Sequence, residues 1–196
     1  MKYIFYDTET TGLSSTDEVI QFAAFVVENN KIVESKSFYC YTQKSIHPGA
    51  AAVSGITKEV LMQKSNGRYF EDYWNEWSTK DESDICWIAY SKNNFDAEKI
   101  NATLSNNGSV SYDFGKQVPD LISAKGRCYF DLYTYRTGEV KGKRKLINEA
   151  ERLGFTLEGL QNTYSKMYSR NVSLHDASFD AFVLMCVVSK LNLLKG

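Results

Sequence analysis

Acidic residues that could hold a metal ion stand at three places along this chain, and the first place is Asp7-Thr8-Glu9. An aromatic and β-branched run, residues 2–6, predicts a buried strand that ends at Asp7. Residues two apart in a strand point to the same face, so the two carboxylates are expected side by side. They repel each other unless a cation lies between them, and their oxygens suit Mg²⁺ or Mn²⁺. On its own such a pair is more often a solvated strand end.

The second acidic residue is Asp96, which follows Phe95 and a buried strand predicted over residues 84–90. The helix predicted to come next covers residues 96–104. Aspartate is also favoured at the start of a helix, so capping alone would explain Asp96.

The third place is the start of the last helix, which is predicted over residues 177–194 and contains Asp180 between apolar neighbours. A buried carboxylate there is costly unless it is paired or binds a metal ion. His175, one of two histidines, is of the residue type that can act as a base near neutral pH. The plainer alternatives are a histidine in a surface loop and an aspartate that faces solvent.

These motifs, in this order, resemble the DEDDh (DnaQ-like) 3′→5′ exonuclease superfamily, which includes the proofreading subunit of bacterial DNA polymerase III. The matching segments are DTETTGL (7–13), VSGIT (53–57), FD (95–96) and HDASFDA (175–181). The resemblance covers nearly the whole chain. It departs from the family at Ser91-Lys92, where His-Asn is frequent, and at Ser54, where histidine is common.

The resemblance implies a metal-dependent 3′→5′ exonuclease that releases nucleoside monophosphates, from single-stranded DNA in preference to RNA, with two divalent cations, Mg²⁺ or Mn²⁺. His175 would be the general base, which predicts that activity falls below roughly pH 6–7 as an imidazole of ordinary pKa protonates. The residues implied to hold the metal ions are Asp7, Glu9, Asp96 and Asp180. The residues implied to contact the terminal nucleotide are Thr10, Thr11, Leu13, Ile56 and Phe95, with plain core packing as the alternative for the last three.

Two other functions stay open at this stage. The chain could be a catalytically silent nucleic-acid-binding or scaffold module of the same fold, although all four acids and the histidine are present. It could also be a different phosphodiesterase of that fold, such as an endonuclease. The expected partner is nucleic acid with a free 3′ end. DNA or RNA as the natural substrate, the pathway, and a homodimer or a complex with a polymerase are not decided by the sequence.

The order of the predicted strands and helices indicates an α/β protein, and the resemblance implies a ribonuclease H-like fold. Two strands, residues 18–27 and 32–41, are joined by an Asn29-Asn30 turn and extend the first strand into an antiparallel meander. With the later parallel strand they form a central mixed sheet flanked by helices. Residues 1–196 are interpreted as a single exonuclease domain. The other predicted helices cover residues 58–63, 69–78, 145–153 and 157–168, with Gly154 ending the helix over 145–153. Residues 129–135 are left as strand or short helix.

Composition limits the classes of function. The 196 residues carry a net charge of −1, so nucleic acid would have to bind at a local site and not through bulk positive charge. Residues 141–145 form a basic segment that could guide phosphates, although a solvated connection is the more frequent role. Four scattered cysteines predict reduced residues of a cytoplasmic protein, and neither a signal peptide nor a membrane span is predicted. Trp74, Trp77 and Trp87 are expected in the core.

Overall fold

The computed structural model describes residues 2–79, 84–91, 95–106 and 145–194. The segment 129–135, Cys128 and residues 141–144 of the basic segment lie outside the described residues. The strands are β1 (Lys2–Thr10), β2 (Val19–Glu28), β3 (Lys31–Tyr39) and β4 (Ile85–Ile88). The helices are α1 (Pro48–Ser54), α2 (Lys58–Lys64), α3 (Phe70–Glu76), α4 (Phe95–Asn106), α5 (Leu146–Arg152), α6 (Leu157–Tyr168) and α7 (Ala177–Lys190).

The strands form one mixed sheet in the order β3-β2-β1-β4. The pairs β1–β2 and β2–β3 are antiparallel, and β4 runs parallel to β1. The hairpin turns at Asn29 and Asn30, whose φ angles of 50° and 60° are left-handed, as a tight hairpin turn with asparagine requires. The predicted α/β class, the mixed sheet and the Asn29-Asn30 turn are confirmed.

The alternation of side chains along β1 separates two hydrophobic clusters on the two faces of the sheet. On one face, Phe5 packs with Phe25 and with α7 residues such as Phe182. On the other face, Tyr6 belongs to a cluster that includes Trp87. Asp7 and Glu9 continue the register of Phe5, so they project from the face that α7 covers.

The largest differences from the sequence-based prediction are two element ends and one additional helix. The strand β1 does not end at Asp7 but continues to Thr10, because its pairing with β2 also continues to Thr10. The helix α7 ends at Lys190, short of residue 194. The helix α1 was not predicted, since seven residues give too short a periodic signal. It is defined instead by its ends, with Pro48 in the first turn and Gly55 at φ 70° after the last.

The expectation for the core holds for the three tryptophans, which are all buried. Cys40 and Cys86 are buried free thiols and Cys186 is a partly buried one. Gly154 follows the end of α5 with φ 87°, as predicted for a residue that terminates a helix. None of the helices within the described ranges is long and apolar enough to cross a membrane.

Candidate active site

The candidate site forms where β1 extends past its neighbour β4. Pairing between these strands ends at Phe5, opposite Ile88. The last part of β1 therefore has a free edge on this side, while β2 still pairs with it on the other side up to Glu9 and beyond. The register of β1 and β2 shifts directly after Glu9, an irregularity often found beside functional sites.

Asp96 fills the free edge of β1. Its Oδ1 accepts hydrogen bonds from the Thr8 backbone N–H at 3.1 Å and from the Thr8 hydroxyl at 2.7 Å. A role at the start of the helix does not by itself account for Asp96, because this carboxylate also binds a strand 88 residues away in sequence. The prediction that the first strand ends at Asp7 needs correction. Asp7 and Glu9 lie inside β1, and Asp96 lies in the first turn of α4.

The start of α7 brings the third motif to the same place. Asp176 caps the helix by accepting a hydrogen bond from the Ser178 N–H, and Asp180 lies in the first turn. His175 precedes the cap with φ 62°, a left-handed conformation that is uncommon for histidine. Its Nδ1 lies 4.0 Å from Asp180 Oδ2. Single ligand atoms of Glu9, His175 and Asp180 all lie within 4.8 Å of one another.

All five residues predicted for catalysis line one cavity of about 740 Å³. The cavity is bounded by the end of β1, the beginning of α4, and the segment that precedes α7. Its lining residues are Asp7, Thr8, Glu9, Tyr90, Ser91, Phe95, Asp96, Lys145, Leu146, Ile147, Asn148, Leu174, His175 and Asp180.

Burial raises the pKa values of all four carboxylates, and the charges of neighbouring acids add to the increase for Asp7, Glu9 and Asp180. Burial, followed by the charges of Asp96, Asp180 and Glu9, holds the pKa of Asp7 well above its ordinary value. Burial first and the charge of Asp180 second raise the pKa of Glu9 to about 8. Burial also raises the pKa of Asp180 to about 7, against a hydrogen bond from the His175 backbone. Burial raises the pKa of Asp96 as well, although hydrogen bonds from Ser91 and Thr8 oppose the change.

These residues fit divalent metal ions. Four partly or fully buried carboxylates in one cavity are unfavourable as anions without positive charge nearby, and a bound cation reverses that balance. Hard oxygen ligands of this kind are the usual ones for Mg²⁺ and Mn²⁺. The imidazole of His175 is half exposed and adds a nitrogen at the rim.

The turn after β1 carries three of the residues predicted to contact substrate. The Thr11 hydroxyl donates to Asp17 Oδ1 at 2.8 Å, and Asp17 Oδ2 accepts from the Ser14 N–H at 2.6 Å. Thr10 is buried, and its hydroxyl donates to the Gly12 carbonyl at 2.7 Å. Both threonine hydroxyls therefore stabilise the turn through hydrogen bonds. In contrast, the Leu13 side chain is 85% exposed on this hydrogen-bonded turn.

The other two predicted contact residues lie in different surroundings. Phe95 lines the cavity of the acids. Ile56 is buried with Ile20 and Leu61, and it borders a separate cavity of about 340 Å³ on the side of β3. Of the basic segment 141–145, only Lys145 is described; it is exposed and lines the cavity of the acids.

Sequence reasoning missed several residues at this site. Thr8 was treated only as the spacer between two acids. Gln21 on β2 is 1% exposed and lies opposite Glu9 in the strand pairing. The glutamine inside the apolar run VIQFAAFVV could have indicated it, because burial of an amide is unfavourable unless the amide is hydrogen-bonded. The apolar wall of the cavity includes Leu146 and Leu174, and no sequence pattern around these two residues indicates that they belong to the site.

The chain matches one protein-family model and several known proteins. The exonuclease family model RNase_T matches residues 4–188. A PolC-type DNA polymerase III of Mycoplasmopsis pulmonis (strain UAB CTIP) is 39% identical over 61 residues, which are 31% of this chain and 4% of that protein.

Solved structures with the same fold include the zinc-bound form of Escherichia coli exonuclease I in complex with single-stranded DNA. It matches with a TM-score of 0.65 at 22% identity, over 99% of this chain and 41% of that one. Cell-death related nuclease 4 (CRN-4) matches with a TM-score of 0.62 at 15% identity, over 97% of this chain and 63% of that one. This chain thus spans about two fifths of exonuclease I. At these identities the likeness establishes the ribonuclease H-like fold. With a family model that extends over almost its full length, the chain belongs to the RNase_T family of exonucleases, within the DnaQ-like (DEDDh) superfamily.

Proposed function

We propose that this protein is a metal-dependent 3′→5′ exonuclease of the DEDDh type, which releases nucleoside monophosphates from the 3′ end of single-stranded DNA. The observation that carries the proposal is the convergence of Asp7, Glu9, Asp96, Asp180 and His175 on one cavity. These residues come from three distant parts of the chain, and core packing gives no reason to collect four carboxylates in one place.

Asp7, Glu9, Asp96 and Asp180 would hold two divalent cations, Mg²⁺ or Mn²⁺. When bound, such ions offset the charge of the phosphate and stabilise the attacking and leaving oxygens of an in-line displacement. Thr8 fixes the orientation of Asp96 through its two hydrogen bonds to Oδ1, so that this carboxylate is in place before a ligand arrives.

His175 would accept a proton from the attacking water at a ring nitrogen. Its half-exposed side chain at the mouth of the cavity is compatible with this role, because the imidazole can reach both the cavity and solvent. The left-handed backbone of His175 turns the chain into α7 directly before the cap.

Leu13 and Phe95 would contact the last bases of the strand. An apolar side chain exposed on a fixed turn, such as Leu13, can insert between bases whatever their identity. Lys145, as a cation on the wall of a cavity rich in carboxylates, would contact a backbone phosphate.

The choice of DNA over RNA is supported by E. coli exonuclease I, whose structures are complexes with single-stranded DNA and with a dT13 oligonucleotide. Because the chain is similar to a short part of a PolC-type DNA polymerase III, a DNA polymerase is the first partner to test. Pull-down of the purified chain with a DNA polymerase III catalytic subunit would test that association separately.

The experiment for the function uses 5′-labelled single-stranded DNA and RNA of one sequence, with Mn²⁺, Mg²⁺ or EDTA. We expect a ladder that shortens from the 3′ end of the DNA, needs a divalent ion, and is absent with a circular strand. His175→Ala should slow this reaction by about 10²- to 10⁴-fold while Mn²⁺ still binds. Cleavage of the circle would indicate an endonuclease, faster shortening of the RNA would indicate an exoribonuclease, and no cleavage with any ion would favour the silent module.

A further inference from the structure

Gln21 is a buried polar residue in a strand that is otherwise apolar. It lies on β2 and is 1% exposed. Within the described ranges its Nε2 has no hydrogen-bond partner. A buried amide with an unused donor is less favourable than an apolar side chain of the same size. Stability of the fold therefore gives little reason for a glutamine at this position.

The location of Gln21 ties it to the end of β1. It pairs with Glu9 across the two antiparallel strands, one residue before the register shifts. Residues directly opposite each other in such a pair project from the same face of the sheet. The Gln21 side chain thus lies beside that of Glu9, on the face that α7 covers.

The side-chain oxygen of Gln21 contacts α7. Its Oε1 accepts a hydrogen bond of 3.2 Å from the N–H of Ala177, the first residue of the helix. The first N–H groups of a helix have no partner within it, so an acceptor from another element can fix the helix end. Ala177 lies two residues after His175 and three before Asp180, and 156 residues separate it from Gln21 in sequence.

The opposite side of the same helical turn is held from α6. The Tyr164 hydroxyl donates to Ser178 Oγ at 2.8 Å, and Ser178 Oγ donates to Asp176 Oδ1 at 2.5 Å. Arg170 also pairs with Asp176, at 2.5 Å. The first turn of α7 is therefore fixed against α6 by one set of contacts and against the sheet by Gln21.

We propose that Gln21 is a positioning residue, which holds the first turn of α7 at the distance from β1 at which Asp180 and His175 meet Glu9. The proposal rests on the proposed function, in which Glu9 and Asp180 bind the metal ions and His175 is the base. Gln21 touches neither substrate nor metal; it acts through Ala177.

The test compares Gln21→Met, which keeps the length and loses the acceptor, with Gln21→Glu, which keeps an acceptor oxygen. Gln161→Met is the matched control. It removes a second glutamine contact near the site, the 2.9 Å hydrogen bond from Gln161 Nε2 to the Val172 carbonyl, without touching the first turn of α7. Mn²⁺ affinity by calorimetry without substrate, kcat, KM and Tm are measured for each protein.

For Gln21→Met we expect a Kd for Mn²⁺ about 10- to 100-fold higher. We also expect kcat about 10²-fold lower with little change in KM, since a small displacement of reacting groups has an effect of that size. Gln21→Glu should recover most of the Mn²⁺ affinity, and Gln161→Met should behave as the wild type in both measurements.

A Gln21→Met protein with wild-type Mn²⁺ affinity and kcat would overturn the proposal, whether or not its Tm falls. Failure of this variant to fold would also overturn it, because the amide would then serve the fold. Equal losses in Gln161→Met would show a general sensitivity of the site and not a role of Gln21. Mn²⁺ binding is measured without substrate. An inactive wild-type protein would therefore contradict the proposed function, while the Mn²⁺ affinities of the wild type and the variants could still be compared.

Discussion

Tyr6 and Asp7 are neighbours in β1, yet they belong to two regions that are stabilised in opposite ways. Tyr6 packs edge-on against Trp87, with ring centroids 5.3 Å apart, in a cluster of aromatic side chains. Asp7 enters a cavity in which burial and neighbouring carboxylates raise its pKa. The aromatic region gains free energy from burial itself, whereas the acidic region loses it unless positive charge is supplied.

The difference predicts which region responds to solution conditions. The aromatic contacts, such as Trp74 against Phe22 at 5.9 Å and Trp74 against Trp87 at 5.9 Å, contain no group that titrates near neutral pH. The acidic cavity contains carboxylates whose pKa values reach about 7 and about 8. The aromatic region should thus determine global stability, and the acidic region should determine activity and the response to metal and pH.

The largest effect is expected for Asp7→Asn. The substitution keeps the volume and removes one charge, so kcat with Mn²⁺ should fall by at least about 10³-fold, as expected from the loss of several kcal/mol of charge stabilisation. The Tm of the metal-free protein at pH 8 should rise at the same time, because a repelling charge is gone. Single-turnover cleavage and calorimetric scans measure the two effects. A variant that loses activity and also melts earlier would contradict the comparison.

Truncation in the aromatic region should have the opposite pattern. Trp74→Ala should lower the free energy of unfolding by about 3–5 kcal/mol, the usual range for removing a large buried aromatic side chain. Below its melting temperature the variant should keep kcat within about twofold of the wild type, since the ring contacts described for Trp74 are with aromatic side chains of the other face of the sheet. Urea unfolding and cleavage assays on one preparation decide this. A large loss of kcat in the folded variant would show that the regions are coupled.

Leu13→Ala should weaken substrate binding by up to about 1.5–3 kcal/mol, the range for full burial of a leucine side chain. The expected result is a higher KM with an unchanged Tm, because the side chain is 85% exposed. Val33→Ala on β3 is the matched control, since Val33 is another exposed apolar residue, at 53%, away from the cavity. Equal KM values for Leu13→Ala and the wild type would remove Leu13 from the substrate contacts.

The smallest effect is the pH dependence of the metal-free stability. Unfolded carboxyl groups titrate near pH 4, whereas Glu9 and Asp180 in the folded protein titrate at about 8 and about 7. The folded state therefore keeps protons that the unfolded state releases. The stability that these protons provide is fully present below about pH 4 and is lost as the pH rises through 7 to 8.

With EDTA present, Tm should accordingly fall between about pH 5 and pH 8. Added Mn²⁺ should raise Tm more at pH 8 than at pH 5, because protons compete with the ion for the carboxylates. Scans of the wild type and of Asp180→Asn, with and without Mn²⁺, test this. A metal-free Tm that is flat or rises over this range in the wild type would contradict the raised pKa values.

Much of the fold could be predicted because its signals are local. Alternation in β1, the long apolar run of β2 and the Asn29-Asn30 turn depend on residues close in sequence. The motif around His175 and Asp180 could likewise be found from its composition and spacing. The short helix α1 could not, since its signal lies in its ends alone.

The sequence by itself determined which residues could do chemistry, and in what order they occur along the chain. Only the tertiary structure decided that β1 continues to Thr10, that Asp96 binds Thr8 on β1, and that Gln21 joins Glu9 to α7. The physical reason is distance along the chain. Strand and helix periodicity record the environment of a residue within a few positions, whereas these contacts join residues 88 and 156 positions apart, whose meeting depends on how the sheet and helices pack.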